Sequence, residues 1–273
     1  MADWPIFGGG PSVGLSDYLT NAYPILVTAG DPANTAGAYS ELVPSAPYSG
    51  VAFFQVFTTF STDACALVSF AIGTAGSEVV FAENILVNAD ANLGGKGFNI
   101  PTVCVQKGQR ISAKAQATIA SSTVRIQTII VPVGFFVQGP SVCDTFGDTT
   151  ADSGGTEVDP GTTANTFGSF VQFSASSPRS YRMIFAAVGN QNDFTRTNSA
   201  WWKVDVGITS SPAGNVIYSF TTTSQSASGD IMAPISQLCH CNIPKGSEIH
   251  VRAKSNKDDA DSRKIDVVLY LFA

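Results

Sequence analysis

The residues best suited to bind a metal ion stand together near the end of the chain, in the run Cys239-His240-Cys241. Thiolate sulfur and imidazole nitrogen are the ligands that zinc prefers. In a β-strand, however, alternate residues share a face, so the two sulfur atoms point one way and the imidazole the other. We therefore favour an ordinary strand over a metal site or a redox-active or intermolecular thiol pair, and we predict no metal and no cofactor.

Groups for acid–base or nucleophilic catalysis are few. His240 and His250 are the two histidines and both lie in the second half, so the first half has no imidazole base. The sequence has no phosphate loop, dinucleotide fingerprint or zinc-protease motif. Nothing selects a pair of carboxylates for glycoside hydrolysis. We therefore predict no catalytic residue and a protein that is not an enzyme.

The pair Trp201-Trp202 is the candidate for stacking against a sugar ring. Neighbouring residues of a strand face opposite sides of the sheet, so one ring faces the core and the other faces outward. The outward ring is the possible ligand-stacking residue. A subunit contact and simple exposure are the alternatives for it.

Residues 139–161 contain five carboxylates and no basic residue. The carboxylates are Asp144, Asp148, Asp152, Glu157 and Asp159. Oxygen ligands of this kind suit Ca²⁺, but the spacing matches no EF-hand loop, and the acidic run at residues 258–261 matches none either. We interpret both as solvated loops and predict that residues 139–161 form a long polar linker over the surface.

The elements that position these groups follow from an internal repeat. Gly10-Pro11-Ser12-Val13 recurs as Gly139-Pro140-Ser141-Val142, and residues 33–39 recur as 164–170. The spacing between matching residues grows from 129 for Gly10 and Gly139 to 131 for Ala33 and Ala164, as small insertions in loops would cause. Such a repeat predicts two domains of one fold.

Matching strand patterns fill both copies, and no amphipathic helix of useful length stands between them. The predicted strands are residues 50–57, 66–72, 78–81, 110–116 and 124–131, with counterparts at 182–188, 201–208, 215–218, 248–254 and 265–272. We predict an all-β protein of two tandem antiparallel β-sandwich, jelly-roll-like domains related by internal duplication. The predicted boundaries are an arm at 1–9, domains at 10–138 and 162–273, and the acidic linker at 139–161 between them.

Composition excludes several partners. Charged residues make up 13% of the 273 residues and the net charge of −6 leaves no basic face, so we expect no nucleic acid. No apolar run has the length of a membrane span, and the first ten residues resemble neither a secretory signal nor a transit peptide. None of the five cysteines is matched between copies, which favours small apolar fillers over a disulfide framework.

Residues 104–116 and 242–254, together with the strands that end at Gly73 and Gly207, resemble the β-sandwich modules of tailed-bacteriophage virion proteins. The resemblance implies a structural or accessory role in a capsid decoration layer, a collar or a tail fibre, usually as a homotrimer. It implies synthesis in the host cytoplasm and a place on the virion, and it carries over no catalytic residue.

The arm is consistent with such an assembly, because Trp4, Ile6 and Phe7 are apolar groups that a short tail cannot bury against itself. We expect them to anchor the subunit on other virion proteins. The main alternative is a carbohydrate-binding or host-adhesion module that recognises a host-surface glycan and depends on Trp201 or Trp202. A hydrolase on the same scaffold is disfavoured, because no reactive residue recurs in both copies.

Overall fold

The structure is a computed structural model, and it describes most of the chain. The described residues are 24–58, 64–89, 98–132, 143–189, 199–209, 215–224, 231 and 236–273. The predicted arm, with Trp4, Ile6 and Phe7, lies outside the described residues.

Each copy of the repeat contributes eight strands to the fold, and the second copy has further short elements. The first copy contains β1 (Ile25–Thr28), β2 (Ser40–Val43), β3 (Gly50–Thr58), β4 (Ala64–Ile72), β5 (Val79–Ala89), β6 (Phe98–Val105), β7 (Ile111–Ala117) and β8 (Thr123–Pro132). The second contains β9 (Cys143–Phe146), β10 (Asp148–Thr149), β11 (Gly154–Val158), β12 (Val171–Ser174), β13 (Tyr181–Gly189), β14 (Trp201–Ile208), β15 (Val216–Thr223), β16 (Cys239–Ile243), β17 (Ile249–Ser255), α1 (Ala260–Arg263) and β18 (Ile265–Phe272).

The strands form four antiparallel sheets. Sheet I has the order β1-β8-β3-β6 and sheet II the order β2-β7-β4-β5. Sheet III contains β10-β11-β18-β13-β16, with β9 also on β18, and sheet IV contains β12-β17-β14-β15. The order β11-β18-β13-β16 repeats that of sheet I, and sheet IV repeats sheet II, which is the double-sheet arrangement of a jelly roll. The predicted all-β fold of two tandem antiparallel sandwiches is therefore confirmed.

The repeated residues between the first two strands of each copy are explained by backbone geometry. Asn34 and Asn165 adopt φ values of 60° and 63°, the left-handed conformation that asparagine tolerates better than most residues. A Cβ atom on Gly37 or Gly168 would collide with a backbone carbonyl oxygen. Both copies keep asparagine and glycine at these positions because the backbone follows the same course in each and admits few other residues.

Each pair of sheets encloses its own core, and alternation along the strands directs side chains into it. In β17 the odd-numbered residues from Ile249 to Ser255 are buried and the even-numbered ones are half-buried. Phe54 and Phe70 meet in the first core with ring centroids 4.6 Å apart. Trp202 fills the second core, and its Nε1 atom donates to the Arg263 carbonyl oxygen at 2.6 Å.

Sheet III is covered on both faces, which joins the two domains. Every residue of β18 is buried: Leu269 packs in the second core, while Tyr270 packs against the core of the first domain. The Phe185 ring stacks on Tyr270 with centroids 4.5 Å apart. The four sheets are therefore stacked in the order I, II, III and IV, with an apolar contact between sheets II and III.

The structure corrects the prediction of a surface linker at residues 139–161. Residues 143–146 form β9 on one edge of β18, and residues 154–158 form β11, which also pairs with β18. Their acidic residues have defined partners: Asp144 accepts from the Tyr181 hydroxyl at 2.6 Å and pairs with Arg179 at 2.7 Å. The prediction of a solvated linker was wrong, because composition does not show that hydrogen-bond donors from other parts of the chain meet these carboxylates in the fold.

The final hairpin also differs from a plain loop. It contains the one-turn helix α1, whose start is capped by the Asp259 carboxylate accepting from the Ser262 N–H at 2.8 Å.

Among the described residues, no helix has the length and apolar character needed to cross a membrane.

Candidate binding site on the second domain

The two tryptophans predicted from the sequence lie on opposite faces of sheet IV. Trp202 is 0% exposed and packs in the core, so its ring is not available to a ligand. Trp201 is half-buried on the outer face, and the Lys254 Nζ atom lies 5.8 Å from its ring centroid.

The three residues of the Cys239-His240-Cys241 run do not converge. Both cysteines pack against the second core, whereas His240 is exposed on the other face of β16. Burial raises the pKa of the Cys241 thiol to about 11. Among the described residues, no three His, Cys, Asp or Glu side chains are grouped as metal ligands.

The outer face of sheet IV carries most of the polar chemistry of the second domain. Alternate residues of β14, β15 and β17 point to this face, because the inward ones fill the core. The outward residues are Trp201, Lys203 and Asp205 from β14, Ser219, Thr221 and Thr223 from β15, and His250, Arg252 and Lys254 from β17.

Aromatic rings and cations alternate along one side of this face. The Arg252 guanidinium lies 4.5 Å from the Phe170 centroid and 4.2 Å from the Phe167 centroid. The Lys254 ammonium lies 5.2 Å from the Phe167 centroid and 5.8 Å from that of Trp201. Cations over ring faces are attracted by the ring quadrupole, by about 0.5–1 kcal/mol at exposed sites. We call these five residues the cation–aromatic ladder.

Asp205 anchors the cations beside the ladder. Its side chain is 5% exposed and accepts from the Ser219 hydroxyl at 2.5 Å. The Arg252 Nη2 atom lies 3.2 Å from Asp205 Oδ2, and the Lys203 Nζ atom lies 3.8 Å from Oδ1. A buried carboxylate with these donors is fully paired, and it holds the cations in fixed positions.

A cleft of about 650 Å³ opens beside Phe167. Besides that ring, its polar lining includes Glu157, Asp159, Thr162, Thr163 and Thr166. The three threonines are exposed and Phe167 is half-buried. Phe167 therefore belongs both to the cleft and to the ladder.

The carboxylates of the cleft are held by the final hairpin. Arg263 donates to Asp159 through Nε at 2.7 Å and Nη2 at 3.0 Å, and the Gly161 N–H donates to the same carboxylate at 2.7 Å. The Arg263 guanidinium lowers the pKa of Asp159. Lys264 pairs with Glu157 at 3.0 Å. Both carboxylates therefore have cationic partners before any ligand arrives.

The opposite wall of the cleft is hydrogen-bonded to β17. The Asn165 N–H donates to the Ser255 carbonyl oxygen at 2.6 Å, and the Gly168 N–H donates to the Ala253 carbonyl oxygen at 3.0 Å. These bonds, with the isolated bridge between Phe167 and Lys254, pair the backbone of residues 165–168 with the edge of sheet IV.

Sequence reasoning missed this site, because it interpreted Asp159 as part of a linker and Phe167 as one position of the repeat. Two signals were present. Asp159-Pro160-Gly161 is a turn sequence, and Phe167 replaces Ala36 of the first copy. The first copy folds with alanine at this position, so the fold itself does not need the Phe167 ring, and the ring indicates a role specific to the second domain.

The cleft and the ladder offer four kinds of contact. Threonine hydroxyls donate and accept hydrogen bonds, the fixed carboxylates accept them, and the Phe167 ring provides an apolar surface. The cations beside the ring attract negative charge. These contacts suit a ligand with many hydroxyl groups.

No protein family model matches the chain, and no curated protein is significantly similar to it. Among solved structures, PNGase F, a glycosylasparaginase from Flavobacterium meningosepticum, matches with 8% identity and a TM-score of 0.42, and 92% of this chain covers 93% of that one. A recombinant N-glycanase F (PNGase F) matches with 9% identity, a TM-score of 0.44 and coverages of 93% and 95%. The CBM22-1–CBM22-2 tandem domain of Paenibacillus barcinonensis Xyn10C has 10% identity, a TM-score of 0.23 and coverages of 86% and 82%. At these values the likeness is one of fold alone.

The prediction that the chain is not an enzyme is corrected by these matches. We inferred the absence of catalysis from a β-sandwich without recurring reactive residues, whereas PNGase F, which matches over more than nine-tenths of the chain, is an enzyme. A catalytic centre on such a scaffold does not have to recur in both domains. The fold itself therefore assigns no activity and excludes none.

Proposed function

We propose that this chain binds saccharides, and that the cleft beside Phe167 is the binding site. The observation that carries the proposal is the composition of that cleft: three exposed threonines, two carboxylates with cationic partners and the half-buried Phe167 line it together. Its volume of about 650 Å³ lies within the range of roughly 300–1,000 Å³ that is usual for small-ligand sites.

The chemistry of a sugar matches this lining. A pyranose ring has an apolar face of C–H groups and a rim of hydroxyl groups. The Phe167 ring supports the apolar face, and the Asp159 and Glu157 carboxylates accept hydrogen bonds from the rim. Thr163 contributes a hydroxyl that both donates and accepts.

The rigidity of the cleft supports binding as well. Asp159 is held by Arg263 and Gly161, and the facing wall is bonded to β17 through Asn165 and Gly168. A ligand therefore has few side chains to order, which lowers the entropic cost of association. This arrangement favours the carbohydrate-binding or host-adhesion alternative over a role that depends on subunit contacts alone.

The test is the binding of the purified full chain to an array of neutral and acidic glycans. Thr163→Val removes one hydroxyl at nearly constant volume, and Phe167→Ala removes the ring. Each change is expected to weaken binding by at least about twofold, since one hydrogen bond is worth about 0.5–1.5 kcal/mol and a sugar-facing ring at least as much.

Thr74→Val is the matched control, because Thr74 is an exposed threonine in a turn of the first domain. It is expected to bind as the unaltered protein does. If no glycan is bound, the proposed function is wrong. If glycans are bound equally well by Thr163→Val and Phe167→Ala, the site lies elsewhere.

A further inference from the structure

We infer that the saccharide is anionic, and that its carboxylate or sulfate group is bound by Lys254 with the support of Lys203 and Arg252. This inference rests on the proposed function. It concerns the outer face of sheet IV, where three cations stand beside the single carboxylate of Asp205. Among the described residues, Glu248 is a further carboxylate next to this face. It directly precedes β17 and already contacts His250 at 3.0 Å.

The internal repeat provides a comparison within the molecule. Ile72 pairs with Ile111 in sheet II as Ile208 pairs with Ile249 in sheet IV, so the two outer faces can be aligned residue by residue. The face of sheet II carries Cys65, Leu67, Ser69, Ser112 and Gln116, all of which are buried. Sheet III covers that face.

The aligned positions on sheet IV carry Trp201, Lys203, Asp205, His250 and Lys254. Neutral groups of sheet II are replaced here by charged groups and a ring, except that Lys114 of sheet II already occupies the position of Arg252. Among the described residues, no other sheet covers this face of sheet IV. An apolar partner there would leave the cations without counter-charges, at a high cost in desolvation. The occupant that matches this face is polar and negatively charged.

Lys254 is the cation with the least compensation. Its ammonium group lies over the rings of Phe167 and Trp201, at 5.2 and 5.8 Å from their centroids. Within the described ranges, no carboxylate lies at ion-pair distance from it. Arg252 differs, because its Nε and Nη2 atoms are engaged by Asp205. Lys254 is therefore the cation most available to an anionic group of a ligand.

The ladder adjoins the cleft, so one saccharide can occupy the cleft and present its acidic group to Lys254. Phe167 lines the cleft, and its ring lies beneath Lys254 and Arg252. A saccharide seated against this ring therefore brings its substituents within reach of the lysine. A carboxylate or sulfate at that point gains a charge-assisted hydrogen bond.

Single-stranded nucleic acid is the other anionic polymer to consider, and the charge of the chain disfavours it. The net charge of −6 repels a polyphosphate, which carries a negative charge on every nucleotide, more strongly than it repels a polymer with few charges. The observations favour a saccharide with isolated acidic groups.

The experiment compares acidic glycans with their neutral parents on an array, followed by calorimetric titration of the best-bound acidic glycan and its parent. The proteins are the unaltered chain, Lys254→Gln, and the control Lys245→Gln. Lys245 is an exposed turn residue of the same domain, so the control makes the same change in charge away from the ladder.

The unaltered chain and Lys245→Gln are expected to bind the acidic glycan about tenfold more tightly than its parent, and Lys254→Gln is expected to bind both alike. Equal affinities for both glycans in the unaltered chain would overturn the inference and leave the proposed function standing. A preference that Lys254→Gln retains would also overturn it. Binding of a single-stranded oligonucleotide more tightly than any glycan would replace the saccharide with nucleic acid, and no binding to any glycan would overturn both proposals.

Discussion

The hydroxyl group of Tyr270 in the second domain lies within hydrogen-bonding distance of the backbone of Leu86 in the first. The Leu86 N–H donates to this hydroxyl at 2.6 Å, and the hydroxyl donates to the Asn84 carbonyl oxygen at 2.9 Å. Asn84 has a φ of 51°, and the pairing of β5 with β4 shifts register near it. A bulge in sheet II therefore presents two backbone groups that a side chain of sheet III satisfies.

Removal of this hydroxyl is expected to destabilise the fold. Tyr270→Phe keeps the stacked ring but leaves the buried Leu86 N–H and the half-buried Asn84 carbonyl without this partner, at a cost of about 1–3 kcal/mol in the free energy of unfolding. Urea unfolding followed by fluorescence measures the change. Tyr218→Phe loses a part-buried hydrogen bond to the Gln237 carbonyl oxygen at 2.9 Å and no contact between the domains, and it is expected to cost less. Equal costs for the two variants would contradict the bridging role.

Substitution of the two tryptophans by alanine is expected to destabilise the protein to very different extents. Trp202→Ala empties a fully buried site and is expected to cost about 3–5 kcal/mol of stability. Trp201→Ala lies on the outer face of sheet IV and is expected to cost less than about 1 kcal/mol. Thermal unfolding distinguishes the two. Similar losses would show that Trp201 has a structural role that its half-buried position does not indicate.

Acid is expected to weaken the attachment of the cleft to the final hairpin. Arg263 lowers the pKa of Asp159 below its ordinary value of 3.8, so their pairing stabilises the fold above that pH and loses its effect as the pH falls through the lowered pKa. Asp159→Asn is therefore less stable than the unaltered chain at about pH 7, and the difference shrinks below about pH 4. The side chain is 37% exposed, so the difference is modest. Urea unfolding across this range measures it, and a difference independent of pH would rule out the ion pair as its source.

Close contact of Gly168 with the opposite wall of the cleft predicts a steric effect. Gly168→Ala places a Cβ atom against the Asp159 carbonyl oxygen, so the backbone of residue 168 or of residues 159–160 must shift. Gly161→Ala is the control, because it has a φ of +84° but no neighbour within 4 Å of the added carbon. The control is expected to lose about 1–2 kcal/mol of stability from left-handed strain, and Gly168→Ala is expected to lose more. The reverse order in urea unfolding would show that the contact relaxes at little cost.

Virion assembly and the homotrimer stay predictions from the sequence, and the solution mass tests them. Light scattering after size exclusion is expected to give three times the chain mass of 28.5 kDa, and to show association with capsid or tail components. Deletion of residues 1–9 is expected to abolish that association if Trp4, Ile6 and Phe7 anchor the subunit. A monomer that ignores virion components would contradict this role and would be compatible with the saccharide-binding proposal.

Strand prediction succeeded where one face of a sheet is buried. Residues 248–254 alternate in polarity, and β17 occupies Ile249–Ser255 with the same alternation of burial. The short edge strands were missed, because elements such as β12 (Val171–Ser174) have too few residues to show a period. The strands of residues 143–158 were missed for a different reason, since their carboxylates resembled those of a solvated loop.

The sequence by itself determined the fold class, the duplication and the opposite orientations of Trp201 and Trp202, because strand period and repeated turns are local properties of the chain. Only the tertiary structure decided which sheet faces meet. Burial of sheet II beneath sheet III and exposure of the matching face of sheet IV depend on contacts between residues far apart in the chain. For the same reason, the meeting of Asp159 with Arg263 and of Phe167 with Lys254 could not be inferred before the chain was folded.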